Sequence, residues 1–552
     1  MGIPVKRHVK AAAAVIGLLV GCATLSPLPA QADPEPANRS GGHHGGHHGG
    51  QHGGGETSYQ PPPIEWSPCT NGLQFLGGEC GHLVVPLDYA RPQGKKIKVA
   101  VSRLKHTSDE ASYQGVMVVN LTWPGGSGLG QASVGKLLPE FVSGTYDWVG
   151  FDPRGVGASE PTLSCDPGIN GYDRMAYEPS SPRHLAAQIK VAKDYSAACA
   201  RTRSDLLRHA TTAHTANDLD SLRKALGQEQ LNYYGYVYGA YLGQVYGTMF
   251  PARVRRMVID SAVDPRHAWF GYNLNQNYPL DQNLAAFSAW TAKHDSIYHL
   301  GTTEAAVRKK YYDTLAKLAK KPAGGVFGPA VWTDVFLLAY NTNHWQELAT
   351  LFSAVVNTGD TALLKQVYDA NYPTVTDNNQ AMALATMCTD APWPRDWDTW
   401  LRVTERDYRK VPFAAWADMW FVASCQSWSV PPQRPAAVGG PKTPSVLMVL
   451  DRTIDPSSTY EGSLAVRKLF PKAVLVESGP TPAETATPES CSPGRSIVEY
   501  LLNGTLPARV AGNTSDLKCP AAPLPNPAAP AAKSAAPPVA GFSGALAAAT
   551  VR

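Results

Sequence analysis

The chain has 552 residues, of which 43% are hydrophobic and 17% charged, and 49 Lys+Arg stand against 45 Asp+Glu for a formal net charge of +4. This is an ordinary globular composition, long enough to bury a large core as one elaborated domain or a core plus a lid. The basic residues form no continuous stripe, so nucleic acid is excluded as a predicted partner and a peptide or small-molecule ligand is expected instead.

In chain order, Lys6, Arg7 and Lys10 precede an apolar run from Ala11 to Leu25 and the small-residue pattern Ala30-Gln31-Ala32. Together they read as a signal peptide over 1–32 and predict export. Leu19-Val20-Gly21-Cys22 also reads as a lipobox, so simple secretion and a lipid anchor at Cys22 both stay open. No second long apolar run follows, so no membrane span is expected. Residues 33–60 are rich in Gly, His and Pro and lack an apolar face to bury, which predicts a flexible leader. Its histidines His43, His44, His47, His48 and His52 suggest soft divalent ions, although a solvated low-complexity tract is the plainer explanation. With Cys22 set aside, eight cysteines remain, an even number that suits an oxidising compartment. Sequence leaves their connectivity open; pairing neighbours closes four local loops without crossing. No Cys-x-x-Cys spacing points to a metal, and no cofactor is expected.

Short apolar runs at Val116–Trp123, Trp148–Phe151, Leu231–Tyr234, Arg256–Asp260, Ser445–Leu450 and Ala473–Val476 predict buried strands. Helical patterns at Ala216–Leu226 and Ala240–Phe250 alternate with them. Such alternation predicts an α/β architecture with a mainly parallel sheet covered on both faces. Residues 160–200 and 266–435 carry Trp, Tyr and Leu at helical spacing without the strand rhythm, which predicts a helical lid. The expected division is a core at 61–160, a lid segment at 161–205, core with a sharp turn at 206–265, a helical lid at 266–435, a C-terminal core at 436–519 and a Pro/Ala-rich tail at 520–552.

Four motifs carry the candidate chemistry. Trp123-Pro124-Gly125-Gly126-Ser127-Gly128 follows a strand, and its glycines allow backbone N–H groups to face a developing oxyanion. Gly150-Phe151-Asp152-Pro153-Arg154-Gly155 is a strand end with a rigid loop whose Asp and Arg read as structural. Gly235-Tyr236-Val237-Tyr238-Gly239 joins a strand to a helix, and Asp455-Pro456 follows a later strand, where an acid is placed to orient a histidine.

With these motifs, from Trp66 to about Cys519, the chain resembles the tripeptidyl-aminopeptidase-like branch of the α/β-hydrolases. Further shared features are Ala216–Gly227 with Asp218-Leu219-Asp220, Val254–Pro265, the lid residues Cys388, Asp390, Cys425 and Trp428, and Gly504-Thr505-Leu506-Pro507. The resemblance implies an α/β-hydrolase fold with a helical lid, an oxyanion site at Gly125 and Gly126 flanked by Tyr236 and Tyr238, and a lid carboxylate, Asp390, for a substrate amine. A helix cap beside a disulfide is an equal role for Asp390.

Two departures from the family pattern are decisive. The elbow Gly-x-Ser-x-Gly has Val237 at its centre, and an isopropyl group has no lone pair with which to attack a carbonyl. The family histidine precedes a cysteine corresponding to Cys491, yet no histidine follows His344 in this chain. Glu484 lies near the vacated place, but an ordinary carboxylate is a poor proton shuttle at neutral pH. Asp455 is the retained acid position. Ser127, Ser261, Tyr236 and Tyr238 are conceivable substitutes, each with a packing or turn explanation. Three functional classes follow: a non-hydrolytic pseudoenzyme that binds a peptide or small metabolite, a repurposed cyclase, isomerase or lyase, and a hydrolase with relocated catalytic residues.

Overall fold

Alternation of buried strands with amphipathic helices produces a single ten-stranded sheet in the computed structural model, which describes residues 58–371, 377–452, 455–479, 491–521 and 524–527. The predicted signal peptide with Cys22, most of the leader, the stretch around Glu484 and the end of the tail lie outside the described residues.

The strands are β1 (Ser67–Pro68), β2 (Glu79–Pro86), β3 (Lys96–Leu104), β4 (Val116–Asn120), β5 (Asp147–Phe151), β6 (Leu231–Tyr236), β7 (Val254–Asp260), β8 (Leu447–Asp451), β9 (Val474–Ser478) and β10 (Leu517–Cys519). Their spatial order is β1-β2-β3-β5-β4-β6-β7-β8-β9-β10. From β5 to β10 neighbouring strands run parallel, whereas β1, β2 and β3 form an antiparallel flank. Every residue of β4, β6 and β9 is buried, as strands covered by helices on both faces require. The six apolar runs in the sequence correspond to β4 to β9. The antiparallel flank was not among them, because β3 interleaves Lys96, Lys98 and Arg103 with its apolar residues and so lacks a continuous apolar run.

The two helices predicted beside the sheet occupy Thr212–Ala225 and Tyr238–Met249. Thr211 caps the first, its hydroxyl accepting from the His214 N–H. Between Phe270 and Val422 the chain is almost wholly helical, and part of that region has its own core, in which Leu284, Phe287, Trp332, Phe336, Trp345 and Phe352 are fully or almost fully buried. The helix Asp377–Asp390 belongs to the sheet's core instead, with Ala381, Met382 and Ala385 packed into it. Cysteines pair as neighbours in all four cases: Cys69–Cys80, Cys165–Cys199, Cys388–Cys425 and Cys491–Cys519. Among the described residues no helix is long and apolar enough to cross a membrane.

Candidate functional site

The site is built where the C-terminal ends of the parallel strands meet helix N-termini. β6 ends at Tyr236, Val237 turns the chain at φ 52° and ψ −106°, and the helix begins at Tyr238. This turn is a strand-to-helix elbow, and its close packing depends on its glycines. A Cβ on Gly239 would lie 1.7 Å from the carbonyl oxygen of Asn120 in β4, and one on Gly235 would lie 2.2 Å from the carbonyl oxygen of Gly239. Val237 is buried, so its isopropyl group stands where the elbow presents a side chain at the sheet's mouth. Positive φ is uncommon for any non-Gly residue and strained for a β-branched one.

Tyr236 and Tyr238 diverge from the elbow toward two different buried acids. The Tyr238 hydroxyl meets Thr212 Oγ1 at 3.3 Å. Thr212 in turn donates its N–H (2.8 Å) and hydroxyl (2.6 Å) to Asp390, which also accepts from the Trp269 indole at 3.2 Å. Burial pushes the Asp390 carboxyl up to about 6, and these donors oppose the shift. Asp390 therefore sits at the N-terminus of helix Thr212–Ala225, beside the Cys388–Cys425 disulfide, with three donors already engaged.

On the other side, Asp455 faces Tyr236, Tyr272 and Tyr340. Burial raises all three phenols and the Asp455 charge raises them further, Tyr340 to about 12. Asp455 Oδ1 accepts from the Ser457 N–H at 2.8 Å, but its buried Oδ2 has no donor among the described residues. The Ser261 hydroxyl lies 3.4 Å from Asp260 Oδ1 and also acts on the Asp455 carboxyl. Burial pushes Asp455 up to about 7, with Ser261 and the Ser457 N–H opposing the shift and the charges of Asp260 and Asp451 adding to it.

The Gly-rich loop lies against the helix Asp377–Asp390: Asn379 donates to the Gly125 carbonyl at 3.0 Å, and a Cβ on Gly125 would lie 2.3 Å from the Asn379 carbonyl oxygen. Gly125 has φ 85°. The Gly126 N–H donates to the Trp123 carbonyl at 3.0 Å, so it closes the turn and is not free to meet an oxyanion. The Tyr238 N–H opens a helix and has no intrahelical acceptor. Ser127 donates to Asp152 Oδ1 at 2.6 Å, while the same carboxylate accepts from the Gly128, Leu129 and Ala158 N–H groups. Asp152 thus ties the loop together. Arg154, fully buried, forms a bidentate pair with Asp218 at 2.6 and 2.8 Å, in keeping with the structural role predicted for the Asp and Arg of that loop.

Three polar side chains near the site had no sequence signal. Asn120 is fully buried under the elbow helix, and its amide nitrogen and oxygen have no partner among the described residues. Asp418 and Asn277 line a cavity of about 10 Å³ with Asn273, Trp400 and Met419, and Asp418 Oδ2 and Asn277 Oδ1 have no partner among the described residues. Burial pushes Asp418 up to about 8, and its charge is felt by Tyr272. Their only legible mark was polarity inside otherwise apolar helical stretches.

Residues 115–348 match the family model described as alpha/beta hydrolase fold, and residues 412–519 match the model described as TAP-like protein. Over 464 residues the chain is 37% identical to the tripeptidyl aminopeptidase of Streptomyces lividans, spanning 81% of this chain and 86% of that protein. Over 476 residues it is 32% identical to the serine protease Hip1 of Mycobacterium tuberculosis, spanning 81% and 90%. It is also 27% identical over 474 residues to carboxylesterase B of the same organism, spanning 81% and 89%.

Proposed function

Because this chain belongs to the tripeptidyl aminopeptidase family of α/β-hydrolases, we propose that it is an exported, non-hydrolytic member that uses the family's cavity to bind a peptide or small metabolite. The observation that carries this reading is Val237 at the elbow: its side chain has neither a lone pair nor a transferable proton. Asp455 supports it, since its Oδ2 lacks any donor among the described residues and the chain contains no histidine beyond His344. The Asp455 acceptor that has no partner among the described residues favours a ligand that carries N–H or O–H donors. Export rests on the basic and apolar N-terminal pattern together with four disulfides.

A second reading, a repurposed cyclase, isomerase or lyase, is favoured by one observation. A carboxyl pushed up to about 7 beside three tyrosines is poised to exchange a proton near neutral pH.

The purified mature protein is expected to show no turnover of tripeptide anilides and no labelling by a fluorophosphonate probe. Val237→Ser alone should regain little, since a serine without an imidazole stays protonated and loss of one triad member already costs several orders of magnitude. Val237→Ser combined with a histidine introduced between Gly479 and Cys491 is the variant expected to regain measurable hydrolysis. Robust labelling of the unmodified protein would overturn the non-hydrolytic reading and direct attention to Ser261. Native mass spectrometry of retained ligand separates the two remaining classes: a ligand recovered unchanged supports binding, and a ligand converted on incubation supports an enzyme.

A further inference from the structure

Outside the elbow, the turn between helices Pro182–Leu207 and Thr212–Ala225 brings two imidazoles together. His209 Nδ1 lies 3.2 Å from His214 Nε2, with the ring planes at 74°. A carboxylate oxygen of Asp88, two residues past β2, completes a set of three ligand atoms that all lie within 4.8 Å of one another. Two nitrogens bound to one tetrahedral zinc at about 2.0–2.1 Å are about 3.3 Å apart, so the spacing of the pair matches one edge of such a site.

The surroundings set each ligand up for the task. His214 Nδ1 lies 2.7 Å from Thr211 Oγ1, the same oxygen that caps the helix by accepting the His214 backbone N–H. A proton on Nδ1, donated to that oxygen, leaves Nε2 with its lone pair toward His209. Arg154 holds the His209 carbonyl at 3.1 Å and so fixes the turn from below. Asp88 Oδ1 accepts from the Ala90 N–H and Oδ2 from the Arg91 guanidinium, both at 2.9 Å. The Arg91 side chain on Asp88 Oδ2 is 79% exposed and free to swing aside.

We propose that Asp88, His209 and His214 bind a divalent ion of the zinc class, with His209 Nδ1, His214 Nε2 and one Asp88 carboxylate oxygen as protein ligands and a fourth position left for an outside ligand. The rival arrangement is a simple chain of hydrogen bonds, from the Thr211 hydroxyl to His214 Nδ1 and from His214 Nε2–H to His209 Nδ1. The ion would tie the segment after β2 to the start of the helix whose first residue, Thr212, reaches both Asp390 and Tyr238.

The test uses the full chain with the five leader histidines His43, His44, His47, His48 and His52 replaced by Ala, so that they cannot compete. After dialysis against chelator, titration with Zn²⁺ is expected to show one equivalent bound at micromolar or lower Kd, and Co²⁺ should develop the visible absorption of a four-coordinate site. His209→Gln and Asp88→Asn should each weaken binding at least tenfold while circular dichroism stays unchanged. Zn²⁺ should raise the melting temperature of the parent but not of His209→Gln. No stoichiometric binding, or binding that His209→Gln and Asp88→Asn leave intact, overturns the proposal in favour of the hydrogen-bonded pair. If His214→Gln fails to fold, the half-buried His209→Gln decides the matter.

Discussion

Asp418 is a buried carboxyl whose Oδ2 has no partner among the described residues, and burial alone pushes it up to about 8. Against an unfolded value near 4, the folded chain then holds about one more proton than the unfolded chain between those two values. Stability attributable to this group is therefore fully present below about pH 4, declines as pH rises through the window and levels off above about pH 8. Asp418→Asn removes the ionisation while preserving shape, and its amide can donate to the unpartnered Asn277 Oδ1 that lines the same cavity. The variant is expected to match the parent at pH 4 and to exceed it by about 1 kcal/mol or more at pH 8. Urea midpoints at the two pH values check this; equal differences at both would show that Asp418 is not held neutral. Val237 poses a different problem at this scale. Its chemistry was legible as soon as the motif was seen, because an isopropyl group cannot be a nucleophile. Its backbone strain is a property of the fold: the turn keeps φ 52° with a β-branched residue in place.

The elbow as an element is held by close packing as well as by hydrogen bonds: the Val237 N–H donates to the Asp260 carbonyl at 3.1 Å and the Tyr233 hydroxyl to the Gly239 carbonyl at 2.8 Å. Strand β6, the turn and the helix Tyr238–Met249 can approach β4 only because Gly239 lacks a side chain. Gly239→Ala places a methyl 1.7 Å from the Asn120 carbonyl oxygen, and backbone cannot retreat there without breaking the sheet. A loss of about 4 kcal/mol or more, or no soluble protein, is expected. Gly227→Ala is the control: it has φ 67° and nothing within 4 Å, so only the left-handed backbone penalty of about 1–2 kcal/mol applies. If both variants unfold at similar denaturant concentrations, close packing is not what fixes the elbow. The strands of the parallel half were readable because burial on both faces leaves a continuous apolar run. The flank β1 to β3 escaped notice because a half-exposed strand mixes charge into the same stretch.

Across the whole molecule, two of the disulfides join helical segments that the sheet does not bind. Cys165–Cys199 ties the first lid segment to helix Pro182–Leu207, and Cys388–Cys425 links helix Asp377–Asp390 to the stretch just after helix Ala415–Val422. Peptide mapping without reduction should recover the four neighbour links. Replacing Cys388 and Cys425 together by Ser should lower stability by about 2–5 kcal/mol in denaturant titration. Free thiols at most of these positions would refute the network.

What the sequence determined by itself was whatever depends on order along the chain: the alternation that makes a parallel sheet, the four motifs, the absence of serine at the elbow and of any histidine past His344. Tertiary structure decided which distant groups meet. Asp390 carries a substrate amine or a helix cap equally well on paper; in the fold its carboxylate is already occupied by Thr212 and Trp269. Asp88 lies in the first part of the core, far along the chain from His209 and His214, so no spacing rule connects them, and only the packing of the helix start against the segment after β2 brings the three within reach. The unpartnered oxygens of Asp455 and Asp418 became visible for the same reason. Burial and hydrogen-bond partnership are properties of the space around an atom, and residues remote in sequence supply that space.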